Sequence, residues 1–187
     1  MRIHQIIQRT RANGPGVRLG IWVQGCTRNC PGCANPETHD PTKGYVMQPA
    51  ELFSMILKHE KELEGISISG GEPLDQEEEL VELLQNIKDK TELSVVMWTG
   101  YTMEELEKID LLEKLSQLVD LLIVGPYVEQ YHEPVGLRGS SNQEYLFFSN
   151  KYTIQDIFDV PSAEIILDDG ELKITGINTE DVKSWYK

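Results

Sequence analysis

From Arg18 to Val124 the chain alternates short apolar runs with amphipathic helical segments, and few architectures accept that order. In Arg18–Gln24 the apolar residues Leu19, Ile21 and Val23 recur every second position, the period of a strand. Pro49, well suited to a first helical position, opens a segment with Leu52, Phe53, Ile56 and Leu57 on one face. Gly65–Ser69 reads as a short strand running into Gly70-Gly71. Asp75 and Glu78 have capping-box spacing ahead of a helix carrying Leu80, Val81, Leu83, Leu84 and Ile87. Leu93–Trp98 is the next expected strand, and Thr102 with Glu105 opens a helix expected to reach about Gln117. Val119–Val124 is almost continuously apolar, as in a strand buried on both faces. Strict alternation predicts right-handed βαβ crossovers and a parallel sheet. The units are too few to close an eight-stranded barrel, so an open or partial one is expected.

Beyond Val124 the pattern changes. Gly125–Gly136, with Pro126 and Pro134, reads as a loop, and Tyr145–Phe148 as a short strand. Ala163–Leu167 and Glu171–Thr175 flank Asp168-Asp169-Gly170, a strong hairpin signal. Asn178 is placed to cap a last short helix to Trp185. No boundary, repeat or low-complexity stretch interrupts the chain. One domain over residues 1–187 is therefore expected, with a core to about residue 143 and an elaboration over about 144–187. No apolar run approaches the roughly 20 residues of a membrane helix. A net charge of −14 argues against a nucleic-acid surface.

The expected strands all deliver unusual residues at their C-terminal ends, where parallel α/β folds bind ligands. The first such loop, Gly25-Cys26-Thr27-Arg28-Asn29-Cys30-Pro31-Gly32-Cys33, holds every cysteine in the chain. A disulfide framework does not suit an odd, tightly spaced set without a secretory signal at the start of the chain. Structural zinc needs a fourth ligand, for which His39 is near enough in sequence, and inert thiols are the plainest alternative. The reading favoured by three cysteines in a Gly/Pro/Asn-rich loop is a 4Fe-4S cluster tethered at three irons, the fourth left open for chemistry. Reduced thiols point to the cytoplasm. Residues 1–30 carry Arg2, Arg9, Arg11, Arg18 and Arg28 and no acid, either balancing an anionic cluster or forming an ordinary solvated set. Gly70-Gly71-Glu72-Pro73 would let backbone approach closely and offers carbonyl and carboxylate acceptors, although a simple turn explains the same residues. His4, His39, His59 and His132 are scattered and read as surface or core residues.

The C-x3-C-x2-C loop after an apolar strand resembles the cluster motif of the radical S-adenosylmethionine (radical SAM) superfamily. Asn13-Gly14-Pro15-Gly16-Val17-Arg18, Trp22-Val23-Gln24-Gly25-Cys26, Cys30-Pro31-Gly32-Cys33 and Asn35-Pro36 are similar to the opening of anaerobic ribonucleotide reductase activating proteins. Ser69-Gly70-Gly71-Glu72-Pro73-Leu74, Trp98-Thr99-Gly100-Tyr101-Thr102, Gly125-Pro126-Tyr127 and Arg138-Gly139-Ser140-Ser141-Asn142-Gln143 come next in that family's order. The resemblance implies an α/β fold, a partial (β/α)6 radical SAM barrel with a mostly parallel sheet and a C-terminal β-hairpin extension. It implies that Cys26, Cys30 and Cys33 each bind one iron of a 4Fe-4S cluster and that SAM binds the fourth. Gly70, Gly71 and Glu72 would receive the methionyl ammonium of SAM. Thr99 would reach its ribose or carboxylate, and Gly32 and Ala34 would lie against the cofactor. Arg138 would contact SAM or the partner, or else order its loop. The implied activity is reductive cleavage of SAM to a 5′-deoxyadenosyl radical that removes a glycine α-hydrogen. The implied partners are an anaerobic ribonucleotide reductase or another glycyl-radical enzyme, and a reduced flavodoxin- or ferredoxin-type electron donor. A radical SAM enzyme acting on another peptide or a small molecule, and a non-catalytic metal-binding protein, are the alternative readings. One position departs: the related activators often carry an Asp where Val124 stands, so any support that Asp gives to SAM or a cation is absent here or supplied elsewhere.

Overall fold

The computed structural model describes residues 1–168, 171–179 and 182. In chain order, β1 (Arg2–Thr10) turns back into β2 (Arg18–Val23), and the cysteine loop leads through a 3-10 turn at Pro36–Thr38 to β3 (Tyr45–Val46). Then come α1 (Pro49–His59), β4 (Gly65–Gly70), α2 (Glu77–Lys90) and β5 (Ser94–Thr99). They are followed by α3 (Met103–Lys108), α4 (Leu111–Leu118), β6 (Leu121–Val124), β7 (His132–Val135) and β8 (Arg138–Ser140). The chain continues with β9 (Glu144–Phe147), α5 (Ile154–Phe158), β10 (Glu164–Asp168) and β11 (Glu171–Thr175).

Seven strands form one sheet in the order β3-β1-β2-β4-β5-β6-β9. Its centre, β2-β4-β5-β6, is parallel, as the alternation predicts, while β1, β3 and β9 pair antiparallel at its flanks. Strand residues alternate between two faces. On one, Ile21, Ile68, Met97 and Leu122 join Leu52, Ile56, Leu83 and Leu115 of the helices in the larger apolar cluster. On the other, Val96, Leu121 and Ile123 meet Leu137 and Ile157 in a smaller one. Among the described residues no helix is long and apolar enough to cross a membrane.

Several expectations change. The helix begun by the Thr102–Glu105 capping box is broken, because Asp110 takes a left-handed conformation (φ 56°) and α4 restarts so that Leu111, Leu115 and Leu118 face the core. Asp75 does not cap α2: it lies in a 3-10 turn over Pro73–Gln76, and Gln76 occupies the cap position. The Gly125–Gly136 segment contains β7. The hairpin forms as β10–β11, but its turn at Asp169-Gly170 and the expected helix end at Trp185 lie outside the described residues.

Candidate functional site

The loops after β2, β4 and β5 meet at the C-terminal edge of the parallel strands. Val23 pairs with Gly70, and the ladder continues past both strands: Gly71 N donates to Val23 O at 2.9 Å and Glu72 N to Gly25 O at 2.9 Å. That approach requires glycine. A Cβ on Gly71 would sit 2.0 Å from Gly25 O, and one on Gly70 (φ 108°) would sit 2.5 Å from Val23 N.

Further bonds fix the start of the cysteine loop. Gly25 N donates to Thr38 O (2.7 Å) and Cys26 N to His39 O (3.2 Å). The Thr27 amide and hydroxyl both donate to the Asp75 carboxylate, at 2.7 and 2.8 Å. Arg28 makes a two-pronged bond to Glu105 (3.0 and 2.6 Å) and stacks 3.9 Å from the Tyr101 ring centre. The Arg28 guanidinium holds the Glu105 carboxyl down at about 2. Further along, Cys33 N donates to Cys30 O (3.2 Å), Asn35 N donates to Cys33 Sγ (3.4 Å), and Gly32 turns with φ 71°. A Cβ on Gly32 would lie 3.1 Å from the Glu129 carboxyl.

All three cysteines are free thiols of intermediate exposure. Burial pushes the Cys26 and Cys33 thiols up, and for Cys33 the neighbouring Cys30 and Cys26 add to it. Three sulfurs in one loop are a donor set that a bound cation would hold as thiolates, and their chemistry fits an iron–sulfur cluster. Among the described residues no three His, Cys, Asp or Glu side chains form a ready-made metal cage. His39 lines, with Cys26, an open pocket of about 460 Å³, and its buried Nε2 has no hydrogen-bond partner among the described residues.

Glu72 is 1% exposed and braces two loops. Its Oε1 accepts from Leu74 N (3.0 Å) and the Thr99 hydroxyl (2.8 Å), and its Oε2 from Gly100 N (2.7 Å). Burial nonetheless pushes its carboxyl up to about 7. Thr99 in turn accepts from Tyr101 N at 3.1 Å. Ala34 and Asn35 line a separate cavity of about 150 Å³ together with Trp22, Ser69, Trp98 and Thr175. Tyr127 lies near enough to Cys33 for that thiol to add to the upward push burial gives it.

The strand ends therefore bring together Cys26, Gly70, Gly71, Glu72 and Thr99, with Gly32 and Ala34 further along the same loop. Arg138 is engaged elsewhere: it pairs with Glu133 on β7, sits 5.8 Å from the Tyr145 ring centre and does not line the cavity. Gln143 orders that segment by accepting from Gly139 N (2.8 Å) and Ser140 N (3.2 Å). Val124 is buried in the larger core. Of the early arginines, Arg28 serves the cysteine loop and Arg2 lines the Cys26 pocket. Arg9 pairs with Glu62 on the surface, and Arg18 is fully buried at the opposite end of the sheet. Sequence reasoning missed Arg28, Glu105 and Asp75 as holders of the loop; they have no local signal, since each bond spans 77 or 48 residues.

A family model described as a 4Fe-4S single cluster domain matches residues 12–146. The anaerobic ribonucleoside-triphosphate reductase-activating protein of Escherichia coli (strain K12) is 31% identical over 150 residues, covering 76% of this chain and 96% of the relative. The protein of that name from Vibrio cholerae is 32% identical over 151 residues with the same coverage. The one from Enterobacteria phage T4 is 33% identical over 137 residues, covering 70% of this chain and 84% of the relative.

Proposed function

The chain belongs to the 4Fe-4S single cluster domain family, beside the anaerobic ribonucleoside-triphosphate reductase-activating proteins, and from that membership we propose that it is a radical SAM enzyme that installs a glycyl radical on an anaerobic ribonucleotide reductase. The observation that carries this reading is three free thiols in one loop whose root is stitched by backbone bonds to Gly71 and Glu72, just past the neighbouring parallel strand. Cys26, Cys30 and Cys33 would hold three irons of a 4Fe-4S cluster and leave the fourth to SAM. When bound, that pair supplies one-electron cleavage of the sulfonium and, from it, a radical able to remove a glycine α-hydrogen.

The chain's own residues position and shield. Gly70 and Gly71 present bare backbone beside the cysteine loop. Glu72 spends three acceptor positions on Leu74, Thr99 and Gly100, which leaves room on Oε2 for one further donor such as the methionyl ammonium. Thr99 serves by fixing that carboxylate and by its remaining lone pair. Gly32 keeps its side of Cys33 free of a side chain, and Ala34 presents only a methyl group toward the cavity. Arg138, tied to Glu133 of β7, braces the β7–β8 pair and in this reading is a contact for the partner. In this reading the sheet is a splayed partial (β/α)6 barrel, residues 1–187 act as one cytoplasmic domain, and a reduced flavodoxin- or ferredoxin-type protein supplies the electron.

The test is anaerobic reconstitution, then incubation with SAM, a reductant and the reductase, followed by electron paramagnetic resonance. A glycyl radical on the reductase with release of 5′-deoxyadenosine is the expected result. Cleavage of SAM without that radical would move the target to another substrate. Zinc without sulfide, with His39 as a ligand, would make the protein a non-catalytic metal binder; the observation on that side is the buried His39 Nε2, which has no hydrogen-bond partner among the described residues.

A further inference from the structure

The relatives are matched over nearly their whole length yet leave about a quarter of this chain over, and the family match stops at residue 146. Past that residue, α5 and the β10–β11 hairpin pack on the face of the sheet that α1–α4 leave uncovered. Ile157 enters the cluster of Val96, Leu121 and Ile123. The Glu164 carboxylate accepts from the Thr10 hydroxyl (2.9 Å) and Arg11 N (2.8 Å), and the Asn13 amide donates to Thr175 Oγ1 at 2.8 Å. The hairpin is thus moored to the turn between β1 and β2.

The mooring builds a chamber. Trp22, Ser69 and Trp98 project from the sheet, Ala34 stands on the cysteine-loop side, and Ile174 and Ile177 come from the extension. Its volume of about 150 Å³ is well below the roughly 300–1,000 Å³ of sites that bury a drug-sized molecule. A stretch of extended backbone fits such a space when its central residue has no side chain. Ser69 and Asn13, also on the lining, offer hydrogen-bonding groups to a backbone that would otherwise be buried unpaired.

We infer that the C-terminal hairpin is a specificity wall: it narrows the approach to the cysteine loop so that an extended polypeptide enters with glycine, and not a larger residue, at the chamber. This rests on the reading of the target as a glycine-bearing polypeptide. Ile177 is one of the two isoleucines through which the extension narrows the gap, and it lies beyond β11, where a change of size leaves the hairpin pairing intact.

The experiment measures binding of two fluorescent short peptides to the reconstituted, SAM-loaded protein by anisotropy. One is centred on the reductase's radical glycine; the other has leucine there. The wild-type protein is expected to favour the glycine peptide by about tenfold, a difference of about 1.4 kcal/mol. Ile177→Ala should shrink that preference by admitting leucine, and Ile177→Trp should weaken the glycine peptide about tenfold. Preference for glycine that both substitutions leave unchanged would overturn the wall alone. Binding of neither peptide by the wild-type protein would overturn the wall and the glycine-bearing target together.

Discussion

Glu72 is buried among donors yet is pushed up to about 7 by loss of solvent, and that sets a testable pH dependence. An acid with a raised folded value gives stability that is complete below its unfolded value, near 4.3, and lost as pH rises through about 7. The loss amounts to about 3 kcal/mol. Urea midpoints of the wild type should therefore fall from about pH 5 to pH 8 relative to those of Glu72→Gln, which cannot titrate; parallel profiles would count against the shift. Replacing Cys26, Cys30 or Cys33 by Ala should lower bound iron and abolish SAM cleavage, as measured by iron assay and 5′-deoxyadenosine release. Arg28→Ala removes the Glu105 bond and the Tyr101 stack, worth about 1 kcal/mol together, so iron should be lost to a chelator roughly fivefold faster. At this scale the sequence disclosed what is local: cysteines at fixed spacing and a Gly-Gly-Glu at a strand end. It did not disclose Arg28–Glu105 or Thr27–Asp75, because nothing near Arg28 or Thr27 in the chain marks a partner on another loop.

Among the elements, β2, β4 and β5 are joined at their N-terminal ends by one side chain. Arg18 donates to Pro15 O, Ser67 Oγ, Ile66 O, Ser94 Oγ, Ser94 O and the Tyr152 hydroxyl, between 2.7 and 3.1 Å. Burial lowers its pKa, and the acceptors rather than an ion pair keep the charge tolerable. Arg18→Met should cost about 3–5 kcal/mol by leaving those acceptors unpaired, lowering Tm by roughly 10 °C in a calorimeter. An Arg at the head of an alternating strand gives no sign of this, because its burial depends on the small Ser67 and Ser94 on neighbouring strands. β2 and β5 were legible within a residue, α1 from its start at Pro49, and α2 by its apolar face from Leu80 to Ile87. β1 was not, since Arg2, His4, Gln5, Gln8 and Arg9 dilute its pattern and its place is set by pairing with β2. The break before α4 rests on one Asp in a left-handed conformation, which composition does not announce.

The whole molecule is a parallel core with an added cover on one face, and the two should come apart at different free energies. Glu164→Ala should speed amide exchange in β10 and β11 while the amides of β4 and β5 keep their protection, as read by hydrogen-exchange mass spectrometry. Alternation predicted the parallel centre, and the Asp168-Asp169-Gly170 turn signal predicted the hairpin. The antiparallel flanks and the side of the sheet that the hairpin covers depend on contacts between distant segments, which periodicity does not encode. The bonds that carry the β2–β4 ladder past both strands have a consequence for the loop they lead into. Gly71 and Glu72 grip the root of the cysteine loop through main chain alone, and Asp75 and Glu105 hold its next two residues. The posture of that root is therefore set by hydrogen bonds within the protein, and a change in Asp75 or Glu105 is felt there before it is felt in the strands below.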